Sequence, residues 1–188
     1  EAEAQIAVEI LKFLQNGGLY NGYKPVLWSV VEATALADAE VEYADHKSNT
    51  IFTKFPIQGK LEELDDVKII IWTTTPWTIP CNRALAFNSN YEYSILEVLQ
   101  NDKKEKILVA TQLVEQVLRE CNISDYKILH SLKGAKLSGA KCYHPFKKYG
   151  YDFDVPLLDA EFVTLEQGTG IVHIAPSHGP DDFNLGLK

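Results

Sequence analysis

WTTTPWTIPCN, residues 72–82, is the segment from which the rest of the chain is interpreted, and we call it the threonine segment. It follows the apolar, β-branched run VKIII at 67–71, which predicts a buried strand. The two prolines of the segment lack a backbone donor and favour extended geometry in the residue before them. The strand is therefore expected to end near Thr74 or Thr75 and to lead into a turn.

The threonine segment carries four hydroxyls and one amide at the end of the predicted strand, where ligand sites commonly lie. Hydroxyl and amide groups both donate and accept hydrogen bonds, which suits a polar neutral ligand or an attacking water. The alternative is that the hydroxyls only satisfy nearby backbone groups. The side chains concerned are Thr73, Thr74, Thr75, Thr78 and Asn82.

A second polar region is GTGIVHIAPSHGPDD, residues 168–182. Ile171 to Ile174 predicts a short buried strand that contains His173. A helix is expected to start at Asp181 and Asp182, where the helix dipole favours carboxylates. A charged carboxylate beside a pocket could hold an ammonium group. The alternatives are a hydrogen-bonded core histidine and ordinary first-turn acids.

The rest of the chain predicts more strands than helices. An amphipathic helix is expected over 1–16, closed by Gly17 and Gly18, and a second over 112–121 with Thr111 as its N-cap. The acidic stretch 62–66 predicts a solvated loop. Many short strands separated by turns indicate a barrel-like β domain with peripheral helices. Further strands are expected at 41–43, 50–55, 83–87, 91–99 and 107–110.

One region of the chain is locally basic and aromatic. Five lysines alternate with four aromatic residues between 133 and 151. Such a region could contact an RNA backbone, but a solvated loop region is the more ordinary interpretation. The residues are Lys133, Lys136, Lys141, Tyr143, Phe146, Lys147, Lys148, Tyr149 and Tyr151.

The composition bounds the function. The chain has 188 residues, of which 46% are hydrophobic, so one domain with a sizeable core is possible. A net charge of −8 disfavours non-specific nucleic-acid binding. Three cysteines without a CxxC pair fit a reducing cytosol without structural disulfides. No apolar run is long enough for a membrane span. The chain lacks Met, so we expect a piece excised from a longer protein.

Common catalytic and metal motifs are missing from the sequence. His173, His178, Cys142 and His144 do not have the spacing of a zinc site, and no HExxH is present. No nucleophile elbow surrounds a serine or cysteine. Residues 168–170 lack the third glycine of a nucleotide loop. These observations favour chemistry that depends on positioning.

Four blocks of the chain together resemble isoleucyl-tRNA synthetases, in the inserted editing domain called connective polypeptide 1. They are KPVLWS at 24–29, ALADAEVEY at 35–43, the threonine segment with the two residues after it, and 168–182. The related valyl and leucyl enzymes carry Thr-Thr-Arg-Pro where this chain has Thr-Thr-Thr-Pro. The resemblance implies a mainly β, α+β fold, a closed β-barrel-like editing domain with peripheral α-helices over 1–188. Within it, 1–18 would be the N-terminal helix and 19–45 a connecting segment toward the synthetic core.

The resemblance also implies roles for the polar residues. Asp182 would pair with the substrate α-ammonium, and His173 would limit the size of the side chain that enters. The implied catalytic residues are Asp182, Thr75, Thr74 and Asn82. The implied substrate-binding residues are Thr73, Thr78, Trp77, His173 and Asp181.

The implied reaction is hydrolysis of mischarged valyl-tRNA(Ile), with some capacity toward valyl-adenylate. Isoleucine would be rejected by size, because one methylene changes binding by only about 1–3 kcal/mol, a range for which isoleucyl-tRNA synthetase is itself the standard example. The implied partners are the tRNA(Ile) 3′ end carrying valine and the remainder of the same synthetase chain, in the cytoplasm and without a membrane.

The resemblance implies no cofactor for the editing domain, since ATP and Mg²⁺ would serve the separate synthetic domain. The synthetic-site signatures His-Ile-Gly-His and Lys-Met-Ser-Lys-Ser do not occur in this chain. Two alternatives remain open, a non-catalytic docking module for the tRNA 3′ end and a metal-dependent esterase.

Overall fold

The computed structural model of the protein describes residues 1–59, 64–100 and 102–187. The chain divides into two compact units, residues 1–40 and 41–188. Residues 62 and 63 of the predicted acidic loop lie outside the described residues. Within the part that is described, no helix is long and apolar enough to cross a membrane.

The first unit contains one helix and a small hairpin. Helix α1 spans Ala2–Gln15, within the range that the sequence predicts, and none of its residues is buried. Strands β1 (Trp28–Ser29) and β2 (Thr34–Ala35) pair antiparallel. A 3₁₀ turn follows at Asp38–Glu40.

The second unit is built mostly from strands, with two short helices. Helix α2 spans Val114–Glu120 and helix α3 spans Pro180–Gly186. The strands in chain order are β3 (Ile51–Pro56), β4 (Val67–Thr73), β5 (Ala84–Phe87), β6 (Glu92–Gln100), β7 (Lys103–Ala110), β8 (Tyr126–Lys133), β9 (Lys141–Tyr143), β10 (Asp154–Asp159) and β11 (Val172–Ile174).

These strands form two sheets. The larger sheet has the order β3-β4-β7-β6-β8, and the smaller sheet has the order β11-β5-β10-β9. Each contains one parallel pair, β4 with β7 and β5 with β10, and the other pairs are antiparallel. The protein is therefore a mixed α+β fold that is mostly sheet, as predicted.

The predicted closed barrel is wrong. Both sheets are open among the described residues, because the ladders end at β3 and β8 in one sheet and at β11 and β9 in the other. The sheets approach each other where Ile57 forms an isolated bridge with Cys142 and Gln58 N–H donates to the Lys141 carbonyl. One bridge after the end of β3 does not continue the ladder, so the strands do not close into a ring.

The main core lies between the elements of the second unit. The strand β4 predicted from the run 67–71 is buried at Ile69 and Ile71, and it packs with side chains such as Ile95 and Leu108. Fully burying an aliphatic side chain of this size stabilises the fold by about 1.5–3 kcal/mol. Strand β4 is thereby a rigid base for the threonine segment that follows it.

Several predicted elements differ from the structure. No strand forms at 41–43, where Tyr43 is 94% exposed, because β-forming residues need a neighbouring strand to pair with. The helix predicted over 112–121 begins as a 3₁₀ turn at Thr111–Leu113, and Thr111 gives no capping hydrogen bond. The basic and aromatic region contains the end of β8 and all of β9 rather than only loops.

Candidate functional site

The two polar regions of the sequence meet at a cleft of about 420 Å³. One wall is the threonine segment, and the facing wall comes from residues 162–173. Ala175, His178 and Asp182, at and before the start of α3, complete the lining of the cleft. The lining side chains include Trp72, Thr73, Thr74, Thr75, Trp77, Thr78, Phe162, Thr164, Gln167, Thr169, His173, His178 and Asp182.

The threonine segment turns sharply at the end of β4. The strand ends at Thr73, and a 3₁₀ helix spans Pro76–Cys81 with Pro76 in its first turn, where a missing N–H costs nothing. The Thr75 N–H donates to Thr73 Oγ1 at 3.0 Å. Thr75 Oγ1 lies 3.2 Å from Thr73 Oγ1 and 3.3 Å from Thr78 Oγ1. Three hydroxyls therefore form one connected cluster at the cleft.

The hydrogen bonds of Thr78 fix the tautomer of His173. The Thr78 hydroxyl donates to the Thr75 carbonyl at 2.8 Å, since a carbonyl oxygen can only accept. Thr78 Oγ1 also lies 2.8 Å from His173 Nε2. Because the hydroxyl proton is already used, Nε2 must carry the proton and donate it. Nδ1 is then the acceptor nitrogen of a neutral ring.

Asn82 occupies the far side of the His173 ring and is fully buried. Its Nδ2 donates to the Ala84 carbonyl at 2.8 Å, which fixes the orientation of the amide. The same Nδ2 lies 3.4 Å from His173 Nδ1, as the neutral tautomer requires. The amide oxygen Oδ1 is buried and has no hydrogen-bond partner in the described structure.

His173 is held in its neutral form. It lies in β11, which pairs with β5 so that His173 is opposite Leu85. Burial lowers the pKa of His173, and the negative charge of Asp182 opposes this effect in part. Since both ring nitrogens already have partners, the imidazole is suited to form a wall of fixed shape rather than to transfer protons.

Asp182 presents a carboxylate to the same cleft. Its Oδ1 accepts a hydrogen bond from the Ala175 N–H at 2.7 Å, which ties the first turn of α3 to the end of β11. Oδ2 makes no hydrogen bond within the described part of the chain. One oxygen is thus used for positioning, and the other is available to a cationic group in the cleft.

The structure separates the predicted site residues into three groups. Seven of them line the cleft: Thr73, Thr74, Thr75, Trp77, Thr78, His173 and Asp182. Asn82 lies behind the wall, in contact with His173. Asp181 lies in a neighbouring depression that also includes Asp159 and Glu161.

The wall at 162–170 is not among the predicted site residues. It contributes Phe162, Thr164 and Gln167 to the cleft. Its position depends on Gly170, which has φ +74° and where an added Cβ would lie 2.3 Å from the Ala110 Cβ. The glycines at 168 and 170 were the available signal, because such pairs often mark a close approach between backbones.

The described residues contain no cluster of three or more His, Cys, Asp or Glu side chains arranged to hold a metal ion. The cleft instead combines one carboxylate, a connected set of hydroxyls and a neutral imidazole. Such groups can orient a polar substrate and a water molecule.

Comparison with known proteins finds tRNA synthetases, both by family model and by sequence identity. The family model of tRNA synthetases class I (I, L, M and V) matches residues 1–167. The isoleucine–tRNA ligase of Pelagibacter ubique is 58% identical over 191 residues, which cover 100% of this chain and 21% of that protein. The isoleucine–tRNA ligase of Agrobacterium fabrum is 49% identical over 189 residues, covering 97% and 19%. The chain thus spans about a fifth of the length of these relatives.

Solved structures show a similar fold. The crystal structure of GlLeuRS-CP1 has a TM-score of 0.59 and 18% identity, covering 72% of this chain and 58% of that chain. The editing domain of the Plasmodium knowlesi cytosolic leucyl-tRNA synthetase has a TM-score of 0.57 and 16% identity, covering 74% and 63%. At these identities the likeness concerns the fold.

Proposed function

The chain belongs to the class I tRNA synthetases (I, L, M and V), and we propose that it is their editing domain in an isoleucine–tRNA ligase, hydrolysing the ester of valyl-tRNA(Ile). Its resemblance to isoleucyl-tRNA synthetases is confirmed by the relatives, which match nearly the whole chain. The substrate is the one that this resemblance implies, and the reaction is argued from the chemistry of the cleft.

The observation that carries the proposal is that Asp182 and the threonine hydroxyls line the same cleft. The α-ammonium group of an aminoacyl ester is a cation, and the free Oδ2 of Asp182 can accept a charge-assisted hydrogen bond from it. Such a contact would fix the amino acid at one end while its ester lies against Thr74 and Thr75.

Hydrolysis would proceed by orientation of a water molecule. The ester is already activated toward attack. Within the described residues no hydroxyl or thiol of the cleft is paired with a free base, since both nitrogens of His173 are occupied and the His178 ring makes no hydrogen bond to a nucleophile. Hydroxyl donors placed near the carbonyl can stabilise the oxyanion that develops. The Thr74 hydroxyl makes no hydrogen bond within the described residues and is the group placed to donate, whereas the Thr75 hydroxyl donates to Thr78 and is placed to orient the water as an acceptor. No cofactor is required for this step.

Size selection would come from His173 and Trp77. The ring of His173 is fixed by Thr78 on one side and Asn82 on the other, so it cannot easily move away from a larger side chain. A wall of fixed shape can admit valine and exclude isoleucine, which has one more methylene. Valyl-adenylate carries the same ammonium and side chain, so it would fit the same pocket to some extent.

The partners would be the 3′ end of tRNA(Ile) carrying valine and the rest of the synthetase chain. Because the chain has a net charge of −8, most of the tRNA contacts are assigned to the rest of that enzyme. ATP and Mg²⁺ would serve amino acid activation elsewhere in it.

The experiment measures release of amino acid from valyl-tRNA(Ile) and isoleucyl-tRNA(Ile) in the presence of a chelator. Asp182→Asn keeps an acceptor for the Ala175 N–H but removes the charge. A hydrogen bond to a charged group contributes about 1.5–3 kcal/mol, so we expect valine release to fall about 10- to 150-fold.

Asp181→Asn is the matched control, because it removes the same charge from the adjacent residue in the neighbouring depression. Equal loss in both variants would contradict the role of Asp182. Activity abolished by the chelator would favour a metal-dependent esterase. Binding of the tRNA end without any hydrolysis would favour a docking module.

A further inference from the structure

His144 lies outside the cleft and contacts the threonine segment from behind. It is 1% exposed and directly follows strand β9. The Phe146 N–H donates to His144 Nδ1 at 3.0 Å, so Nδ1 carries no proton in the neutral ring. His144 Nε2–H therefore donates to the Ile79 carbonyl, which lies 3.0 Å away. The neutral ring thus has a partner at each nitrogen.

Aromatic side chains hold the His144 ring in one orientation. The ring stacks on Tyr151 with a centroid distance of 4.7 Å and an interplanar angle of 15°. Phe146 and Phe153 lie against it at 5.5 and 5.4 Å, and Phe55 meets it edge-on at 6.1 Å. Burial lowers the pKa of His144, the hydrogen bond to the Ile79 carbonyl opposes this effect in part, and the nearby positive charge of Arg83 lowers the pKa further. The ring is therefore a fixed, neutral donor aimed at Ile79.

The Ile79 carbonyl joins this donor to the cleft. It accepts hydrogen bonds from His144 Nε2 and from the Asn82 N–H, the latter at 3.0 Å. Asn82 in turn places its amide nitrogen against His173, whose Nε2–H donates to Thr78. A continuous set of hydrogen bonds thus runs from the aromatic cluster around His144 to the hydroxyls of the cleft.

We propose that His144 is a positioning residue of the cleft, which fixes the 3₁₀ helix at Pro76–Cys81 through the Ile79 carbonyl and so sets the orientation of Asn82 and His173. This inference rests on the proposed function only for its effect on catalysis. Its effect on His173 is a property of the protein alone.

The donor rather than the bulk of His144 carries this role. A phenylalanine would fill the same aromatic cluster, but the Ile79 carbonyl would keep only the Asn82 N–H as its donor. The 3₁₀ helix would then have one fewer attachment to the body of the second unit. Misplacement of a reacting group by about 1 Å can cost up to about 100-fold in rate.

Three variants separate the donor from the packing. His144→Phe keeps the aromatic contacts and removes both the donor to Ile79 and the acceptor for the Phe146 N–H. His144→Gln loses the aromatic contacts, but its Nε2 reaches the position of the imidazole Nε2 and can donate to Ile79. His144→Asn loses the same contacts, and its shorter amide reaches only the position of Nδ1. Gln and Asn are thus a matched pair if the phenylalanine variant does not fold.

The first readout is the ¹⁵N spectrum of the His173 imidazole, assigned with His173→Gln. The unmodified protein should show the Nε2–H tautomer. His144→Phe and His144→Asn should shift the His173 ring nitrogens, whereas His144→Gln should restore the original signals. An unchanged His173 spectrum in folded His144→Phe or His144→Asn would overturn the proposal, whether or not the chain hydrolyses valyl-tRNA(Ile).

The second readout is the division of the effect between kcat and KM for valyl-tRNA(Ile). We expect kcat to fall by about 10- to 100-fold in His144→Phe with little change in KM, because substrate contacts remain while the catalytic geometry is lost. His144→Gln should recover most of kcat. Equal losses in His144→Gln and His144→Asn would show that only packing matters and would overturn the proposal.

Discussion

His173 shows how a titratable residue can be reserved for shape. The Nε2–H donates a hydrogen bond to Thr78, and Nδ1 accepts one from the Asn82 amide, so neither nitrogen is free for proton transfer. The sequence alone leaves two interpretations of His173, a core histidine or a pocket wall. The structure combines them, because the residue is only 9% exposed and yet lines the cleft.

Removing the His173 ring should widen the proposed specificity. In His173→Ala the wall is lost while Asp182 and the threonine hydroxyls remain. We expect isoleucyl-tRNA(Ile) hydrolysis to rise by about tenfold or more, because exclusion of one methylene is worth about 1–3 kcal/mol. The measurement is the ratio of isoleucine to valine release. His173→Gln, which can still donate to Thr78, should keep more of the selectivity, and a ratio unchanged in both variants would contradict the wall role.

Mild acid should destabilise the fold through its buried histidines. Burial is the main cause that lowers the pKa of both His144 and His173 below the ordinary value of 6.5. Above pH 6.5 both rings are neutral in the folded and the unfolded chain, and stability is fully present. As the pH falls below 6.5, the unfolded chain binds protons first, so stability is lost toward the lowered pKa values. Urea unfolding at about pH 7.5 and about pH 5 measures the loss.

The control for this pH dependence is His173→Gln, whose side chain does not titrate. Its free energy of unfolding should fall less between the two pH values than that of the unmodified protein. An identical fall in both proteins would assign the effect to other groups. The ion pairs of Glu105 with Lys54 and Lys68 lower the pKa of that carboxyl, but they lose strength only at more acidic pH.

The wall at 162–170 bounds the cleft and is attached to the main sheet. The Ala110 N–H donates to the Thr169 carbonyl at 2.9 Å, so this wall is attached to the end of β7. Gly170 allows the close approach, because it has a positive φ and no Cβ. Proteins keep glycine at such points since any larger residue must displace one of the two backbones.

Gly170→Ala should move this wall, and Gly139→Ala is its matched control. Both glycines have positive φ, +74° and +79°, but an added Cβ at Gly139 meets nothing within 4 Å. In the control, the free energy of unfolding should fall only by the cost of placing alanine in the left-handed conformation, about 1–2 kcal/mol. In Gly170→Ala, the free energy of unfolding should fall by about 1–3 kcal/mol more, because the added Cβ overpacks against Ala110. Equal free energies of unfolding in Gly170→Ala and Gly139→Ala would show that the wall moves to accept the added Cβ without destabilising the fold.

Local sequence signals predict the threonine segment well and the opposite wall poorly. Proline chemistry acts on neighbouring residues, so the end of β4 near Thr74 follows from sequence alone. The contact of Gly170 with Ala110 joins positions far apart in the chain and has no local signature beyond the glycine itself. The placement of Asn82 behind His173 likewise depends on the pairing of β11 with β5.

The short strands of the second unit set a limit on prediction for the whole molecule. Strand β9 has three residues, and most of β8 is exposed, so neither gives the apolar periodicity that identifies a buried strand. The family resemblance predicts the α+β class correctly but also implies a closed barrel, which the open ends of both sheets contradict. The division into 1–18 and 19–45 stays a prediction.

Residues 41–188 should fold without the first unit. All the buried side chains of both hydrophobic clusters lie between Phe55 and Leu185, and helix α1 contributes none. We expect a chain of residues 41–188 to unfold cooperatively in urea, with a free energy within about 1 kcal/mol of the full chain, as for changes away from a core. A broad, non-cooperative transition would contradict this expectation.

The hydroxyl of Tyr93 joins the main sheet to the cleft wall. It donates to the Gly170 carbonyl at 2.9 Å and accepts from the Asn88 N–H at 3.0 Å. Burial raises the pKa of Tyr93 to about 12, so this phenol should ionise far above the ordinary value of 10.0. Ultraviolet absorbance in alkali sums the nine tyrosines of the chain, so the difference between the unmodified protein and Tyr93→Phe isolates this phenol. That difference is an optical reporter of the cleft, because the ionisation of Tyr93 returns toward pH 10 once the wall detaches.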